Sequence, residues 1–148
     1  MEESISLSMI AQIHKEFGEN DTDIRTYSPL TLAYIGDAVF EIVIRTLIVE
    51  KGQRAANTLH KHTTKLVCAQ TQAKMAESVY ELLSEKEQDI YRRGKNTKIN
   101  SSAKNASLSD YRKATGFEAL CGYLFLMDDT KRVTELIKKA IELLDIEI

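Results

Sequence analysis

Apolar residues recur at spacings of three and four along almost the whole chain, and no alternating β-branched run is bounded by turn residues. The pattern predicts an all-α fold. A first helix is expected over 4–17, with Ile5, Met9, Ile10, Ile13 and Phe17 on one face, Gly18 as its stop and 19–26 as a polar connector. Ser28 followed by Pro29 marks the next start: the hydroxyl can accept from free first-turn amides, and proline at the first helical position lacks only a donor the helix does not use. That helix runs to Lys51, before Gly52. Leu30, Leu32, Val39, Phe40, Ile42, Ile44 and Ile48 surround its axis, which predicts a central helix packed on most sides. Residues 55–83 read as one or two helices, with Leu59, Leu66, Val67, Ala73, Met75, Ala76, Val79, Leu82 and Leu83 facing inward. Ser84 and Glu87 form a capping box that opens a short helix ending at Gly94. Periodicity vanishes over 95–109, a long loop of the kind that is usually functional, and helices resume over 110–127 and 131–144. Neither a repeat nor a linker divides the chain, so 1–148 reads as one domain.

Composition narrows this picture. With 148 residues, 43% hydrophobic and 28% charged, and with one proline and six glycines, the sequence excludes collagen-like, low-complexity and largely disordered proteins. A domain of this length buries on the order of two thirds of its unfolded surface, so Cys68 and Cys121 are expected to be ordinary small hydrophobes in a reducing compartment. His60 and His62 are two apart, which points them in different directions on a helix, and neither has a cysteine at ligand spacing, which argues against zinc. No glycine-rich phosphate loop occurs. The most apolar stretch, 30–49, is interrupted by Asp37, Glu41 and Arg45 and reads as a core helix, not a membrane span. The first sixteen residues lack a basic start and a long apolar run, so a cytoplasmic location is expected.

Net charge is −2, so any nucleic-acid signal must be local. Arg92, Arg93, Lys95, Lys98, Lys104, Arg112 and Lys113 supply one, relieved only by Asp110 and interleaved with Asn96, Asn100, Ser101, Ser102 and Asn105. A charge run is usually a solvated face. This one stands directly ahead of a helix that carries an acid among apolar residues, Glu118 in Phe117-Glu118-Ala119-Leu120-Cys121-Gly122. The central helix carries two more acids, Asp37 and Glu41, one turn apart. Arg45 at i+4 is a sufficient partner for Glu41. Asp37 and Glu118 have no such intrahelical cation, although Arg112 or Lys113 could reach Glu118 after folding. Gly36, Gly116 and Gly122 remove side chains where two helices could cross closely. Crossing there would bring the acids into one anionic pocket suited to Mg²⁺ or Mn²⁺ beside a cationic loop, which is what phosphodiester cleavage needs.

Leu32-Ala33-Tyr34-Ile35-Gly36-Asp37-Ala38-Val39-Phe40-Glu41 resembles the signature helix of ribonuclease III enzymes, and the segment from Phe117 to Leu126 resembles their second catalytic segment. Leu59-His60-Lys61 and Arg92-Arg93-Gly94-Lys95-Asn96 are similar to the Mini-III subgroup, bacterial members without a double-stranded-RNA-binding domain. The match covers roughly 28–144 and leaves 1–27 as a variable N-terminal extension. The resemblance implies an all-α endonuclease bundle, a homodimer, and Mg²⁺-dependent hydrolysis of double-stranded RNA, with Asp37 and Glu118 as catalytic and metal-binding residues. It also implies a role in trimming a base-paired stem of precursor 23S ribosomal RNA, with a ribosomal protein shaping the stem. Ala33 and Thr115 stand where larger members have acids. Either waters and substrate oxygens complete the metal shell, or Glu41 or another acid moves in.

The expected activity is therefore metal-dependent endoribonuclease cleavage at Asp37 and Glu118. Arg92, Arg93, Lys95, Asn96, Lys98, Lys104, Arg112 and Lys113 are expected to grip the duplex largely by shape. Two other readings remain open: a non-catalytic helical RNA-binding or ribosome-assembly module, and a small-nucleotide phosphohydrolase using the same acids.

Overall fold

The computed structural model describes residues 7–98 and 107–148. Among them the regular structure is helical throughout: α1 (Met9–Phe17), α2 (Pro29–Glu50), α3 (Ala56–Val67), α4 (Ala69–Val79), α5 (Glu85–Lys95), α6 (Leu108–Leu126) and α7 (Thr130–Leu143). Two short 3₁₀ turns, Ile24–Thr26 and Tyr80–Leu82, lie in the connections.

Local chemistry explains most of the boundaries. The hydroxyls of Ser8, Ser28, Ser84 and Ser107 each accept a backbone amide in the first turn of the helix that follows, a cap that contributes about 1 kcal/mol. With Ser8 as such a cap, the first helix of the described residues starts at Met9, and the predicted positions 4–6, Ile5 among them, lie outside the described residues. The Glu87 carboxylate accepts from the Ser84 amide at 2.8 Å, closing the predicted capping box. The same carboxylate receives Arg132 of α7 at 2.8 and 2.9 Å, and this buried pairing holds the Glu87 carboxyl below its usual range. Cys68 separates α3 from α4 with an extended backbone, so 55–83 is two helices followed by a turn. In that turn Leu82 is 49% exposed, contrary to the inward position its helical spacing predicts, because a 3₁₀ turn rotates it off the buried face.

The two most apolar helices, α2 and α6, form the most extensive helix pair, and α5 and α4 pack on α6 from its other sides. Phe40 and Phe117 meet edge to face at 5.6 Å in the centre of the core, both almost fully buried. The prediction that α2 is enclosed on most sides requires correction. Leu30, Tyr34, Ile42 and Val49 are exposed, so one apolar strip of the central helix faces outward. No helix among the described residues is long and apolar enough to cross a membrane.

Candidate active site

The α2–α6 crossing is made by backbone. A Cβ on Gly36 would overlap the Glu118 carbonyl oxygen and lie 2.7 Å from the Gly122 nitrogen, and one on Gly122 would overlap the Leu32 carbonyl oxygen. The second face of α6 is equally tight: a Cβ on Gly94 would lie 2.9 Å from the Gly116 Cα, and one on Gly116 would lie 2.6 Å from the Tyr91 carbonyl oxygen. Gly36 and Gly122 thus lie at the crossing of the acid-bearing helices, as the sequence predicts, whereas Gly116 serves the contact of α6 with α5. Gly94, expected to end its helix, lies inside α5 and serves as a further point of close approach.

This crossing brings Asp37 and Glu118 together from different helices. The two carboxyls share a hydrogen bond, and the Glu118 pKa is pushed up to about 9, first by burial, then by that bond and by the negative charge of Asp37. Glu118 is half-buried and Asp37 is exposed, so the pair lies at the edge of the core with one side open. The helix that carries Glu118 brings no compensating cation. Lys113, one of the two cations able to reach Glu118, instead binds Glu77 of α4 at 2.6 Å, and Arg112 is exposed.

No further acid among the described residues joins them in a metal-holding group. Glu41 accepts from Arg45 Nε at 2.7 Å, so the intrahelical pairing expected from its spacing is present. Ala33 is buried, and the Thr115 hydroxyl donates to the Tyr111 carbonyl at 3.0 Å. Among the described residues no group of three or more His, Cys, Asp or Glu side chains could hold a metal. The set is two carboxylates. Two like-charged groups in partial burial favour a cation between them, and an all-oxygen set of two suits an ion that keeps waters and takes further oxygens from a phosphate. The residues present fit a hard divalent ion of the Mg²⁺ type.

Comparison with known proteins places the chain in a family. The family model described as Ribonuclease III domain matches residues 30–129, which include both acids. The chain belongs to the ribonuclease III family. Mini-ribonuclease 3 of Clostridium tetani is 48% identical over 122 residues, covering 82% of this chain and 81% of that protein. The Thermoanaerobacter Mini-ribonuclease 3 is 44% identical, covering 82% and 86%. That of Staphylococcus aureus is 38% identical, covering 86% and 96%. A crystal structure of a Fusobacterium nucleatum protein aligns with a TM-score of 0.73 at 30% identity, over 82% of this chain and 98% of that one. Membership supports an endoribonuclease acting on double-stranded RNA, in a family that generally depends on divalent metal.

The predicted RNA-binding residues divide into three groups. Arg92 and Arg93 are exposed in the last turn of α5, with Lys95 at its end, and Asn96 and Lys98 follow in the loop. Lys104, together with Asn100, Ser101, Ser102 and Asn105, lies outside the described residues. Arg112 and Lys113 stand on α6, where Lys113 is occupied by Glu77. A second set of exposed cations lies on α3 and α4, and of these only Lys61 falls in a segment the sequence singles out, for its likeness to the subgroup and not for its charge. From 51 to 76 the chain contains no acid at all, while Lys61 and Lys65 are exposed on α3 and Lys74 on α4. The missing acids are the signal, and it is hidden because the net charge of the whole chain is near zero.

Proposed function

We propose that the chain is a Mg²⁺-dependent endoribonuclease of the Mini-III kind, which hydrolyses phosphodiesters in double-stranded RNA at the Asp37–Glu118 pair. The single observation that supports this reading is the meeting of two otherwise unpaired acids at a glycine-tight helix crossing. Asp37 and Glu118 would hold the ion, which when bound supplies a polarised water and charge stabilisation at the phosphate, with Mn²⁺ as an alternative. The chain's own part is positional. Backbone packing at Gly36 and Gly122 holds the two carboxyls at one separation, and burial of Glu118 favours giving up its proton only in exchange for a cation.

Arg92, Arg93, Lys95, Asn96, Lys98, Lys104 and Arg112 grip the duplex backbone, with Lys61 and Lys65 extending that surface. Lys113 contributes by steadying α6 through Glu77. Recognition follows A-form shape, since duplex RNA offers phosphates and 2′-hydroxyls more readily than base edges. The natural substrate we assign, from the Mini-III resemblance, is a base-paired stem of precursor 23S ribosomal RNA, with a ribosomal protein shaping the stem. Two copies associate through the outer strip of α2, where Tyr34 and Ile42 are exposed. The single domain over 1–148 and a cytoplasmic site of action complete the reading.

Incubation of structured precursor ribosomal RNA with the purified chain, with end-mapping of the fragments, tests the proposal. Metal-dependent fragments ending in 3′-hydroxyl and 5′-phosphate are expected. Asp37→Asn should lower the rate roughly a thousandfold while leaving the fold intact. A folded Asp37→Asn chain that cleaves at the parent rate removes the mechanism, and retention of duplex without fragments under any divalent ion favours the binding module. Neutralising Lys61 or Lys95 should flatten the dependence of log affinity on log salt by about one unit for each phosphate left unneutralised. Unchanged salt dependence removes that residue from the duplex surface.

A further inference from the structure

The helix α1 is amphipathic but shows its apolar side to solvent. Only Ile10 is buried, whereas Met9, Ile13 and Phe17, at i, i+4 and i+8, are 63%, 43% and 86% exposed. Such a stripe on a soluble helix lacks a partner surface. Two apolar grooves run along α2 and meet at Ile42 and Val43. One, of about 520 Å³, lies under α1 itself, beside Ile35 and Val39. The other, of about 760 Å³, follows α2 from Ile42 to Lys51 and is walled by α7 and the chain end through Ile137, Ile141 and Ile146. None of the described residues fills it.

We infer that α1 of one copy docks in the α2–α7 groove of a second copy, reciprocally, so that this N-terminal helix is an exchanged element of the dimer. The inference rests on the dimer proposed above. Its geometry follows from where the knob and the hole stand. α1 lies against the first half of α2 and the empty groove against the second half, with Ile42 between them. A two-fold axis through the Ile42 strip reverses the direction of α2, and so carries each α1 towards the partner copy's groove. The lengths match: nine residues of α1 and the nine-residue step from Ile42 to Lys51 each span about 13 Å at helical rise. Charges match as well. Lys15 and Glu16 border the stripe, and the groove rim carries Glu142 together with Lys51 and Lys138, so both signs have an opposite available on docking.

Sedimentation of the full chain over a concentration series tests this, with Ile42→Glu as the variant for the dimer and Ile13→Glu and Phe17→Glu as variants for α1. The expected result is a dimer whose dissociation constant rises roughly tenfold or more in each α1 variant, with unchanged helical circular dichroism. A dimer abolished by Ile42→Glu but unaffected by both α1 variants overturns the exchange and leaves the dimer standing. A parent chain that is monomeric throughout overturns both. A second measurement does not depend on how the charged variants fold. Phe17→Cys chains are mixed with Ile141→Cys chains, each also carrying Cys68→Ser, and oxidised. A disulfide-linked heterodimer supports the exchange, and its absence from a dimeric sample refutes it.

Discussion

On its inner face α2 meets α6 backbone to backbone, with Gly36 against the Glu118 carbonyl and Phe40 locked edge to face on Phe117. On its outer face, about half a turn round the helix axis, Tyr34 is 82% and Ile42 53% exposed, with open apolar grooves alongside. One face is satisfied within the chain and the other is not. The inner face therefore holds the helices that carry Asp37 and Glu118 in one relation, because packed backbone cannot be displaced cheaply. The outer face has no such constraint and offers area, which is what association requires. Asp37 lies between the two regimes, anchored by the tight crossing yet exposed at its rim.

The contrast can be broken most severely at Gly36. Gly36→Val places side-chain atoms where the Glu118 carbonyl stands, so α2 and α6 must separate. We expect a loss of about 3 kcal/mol or more in chemical unfolding, together with loss of cleavage. A variant of parental stability would show that the crossing is soft.

The next effect is on pH dependence. Glu118 keeps its proton in the metal-free fold up to about 9 but releases it near the ordinary 4.5 when unfolded. The folded chain therefore binds more protons between those values, and stability, fully present below the lower one, falls as pH rises through the window. The change is on the order of 2 kcal/mol once solvent at the open side is allowed for. Thermal melts in chelator at a series of pH values should show the decline, and Glu118→Gln should flatten it. A decline that survives in Glu118→Gln assigns it to other groups.

The outer face should respond in the opposite manner. Tyr34→Ala removes an exposed ring, so the stability of the chain at low concentration should change by no more than about 0.5 kcal/mol. The dimer dissociation constant should nevertheless rise about tenfold in sedimentation. A large stability loss with unaltered association would reverse the roles assigned to the two faces. The smallest effect is expected from Arg45→Ala, which frees Glu41 from an exposed i,i+4 pair contributing about 0.5 kcal/mol. If Glu41 then joins the metal site, the divalent-ion requirement for cleavage will shift to lower concentration, and an unchanged requirement keeps Glu41 outside the site.

Much of this molecule is legible along the chain because the relevant interactions are local. Serine caps, a proline at the first helical position, the Ser84–Glu87 box and three-four periodicity involve residues within one or two turns, and each helix they predict is present with shifts only at its ends. The Glu41–Arg45 pair is legible for the same reason. Lys113 is not. Its partner Glu77 is 36 positions away on another helix, and no spacing rule reaches that far. Leu82 is misplaced by periodicity because a 3₁₀ turn changes the period beneath an otherwise helical pattern.

The sequence by itself determined which residues are helical, which glycines allow close approach, and that Asp37 and Glu118 lack neighbours to neutralise them. Only the tertiary structure decided that those two acids face each other, that Glu118 holds its proton because it is buried and then because Asp37 stands beside it, and that one strip of the most apolar helix is left uncovered. Helix formation depends on hydrogen bonds and side chains within a turn, so it is written in short windows of sequence. The meeting of two acids and the covering of a face depend on how whole helices cross, which is settled by packing summed over the entire core.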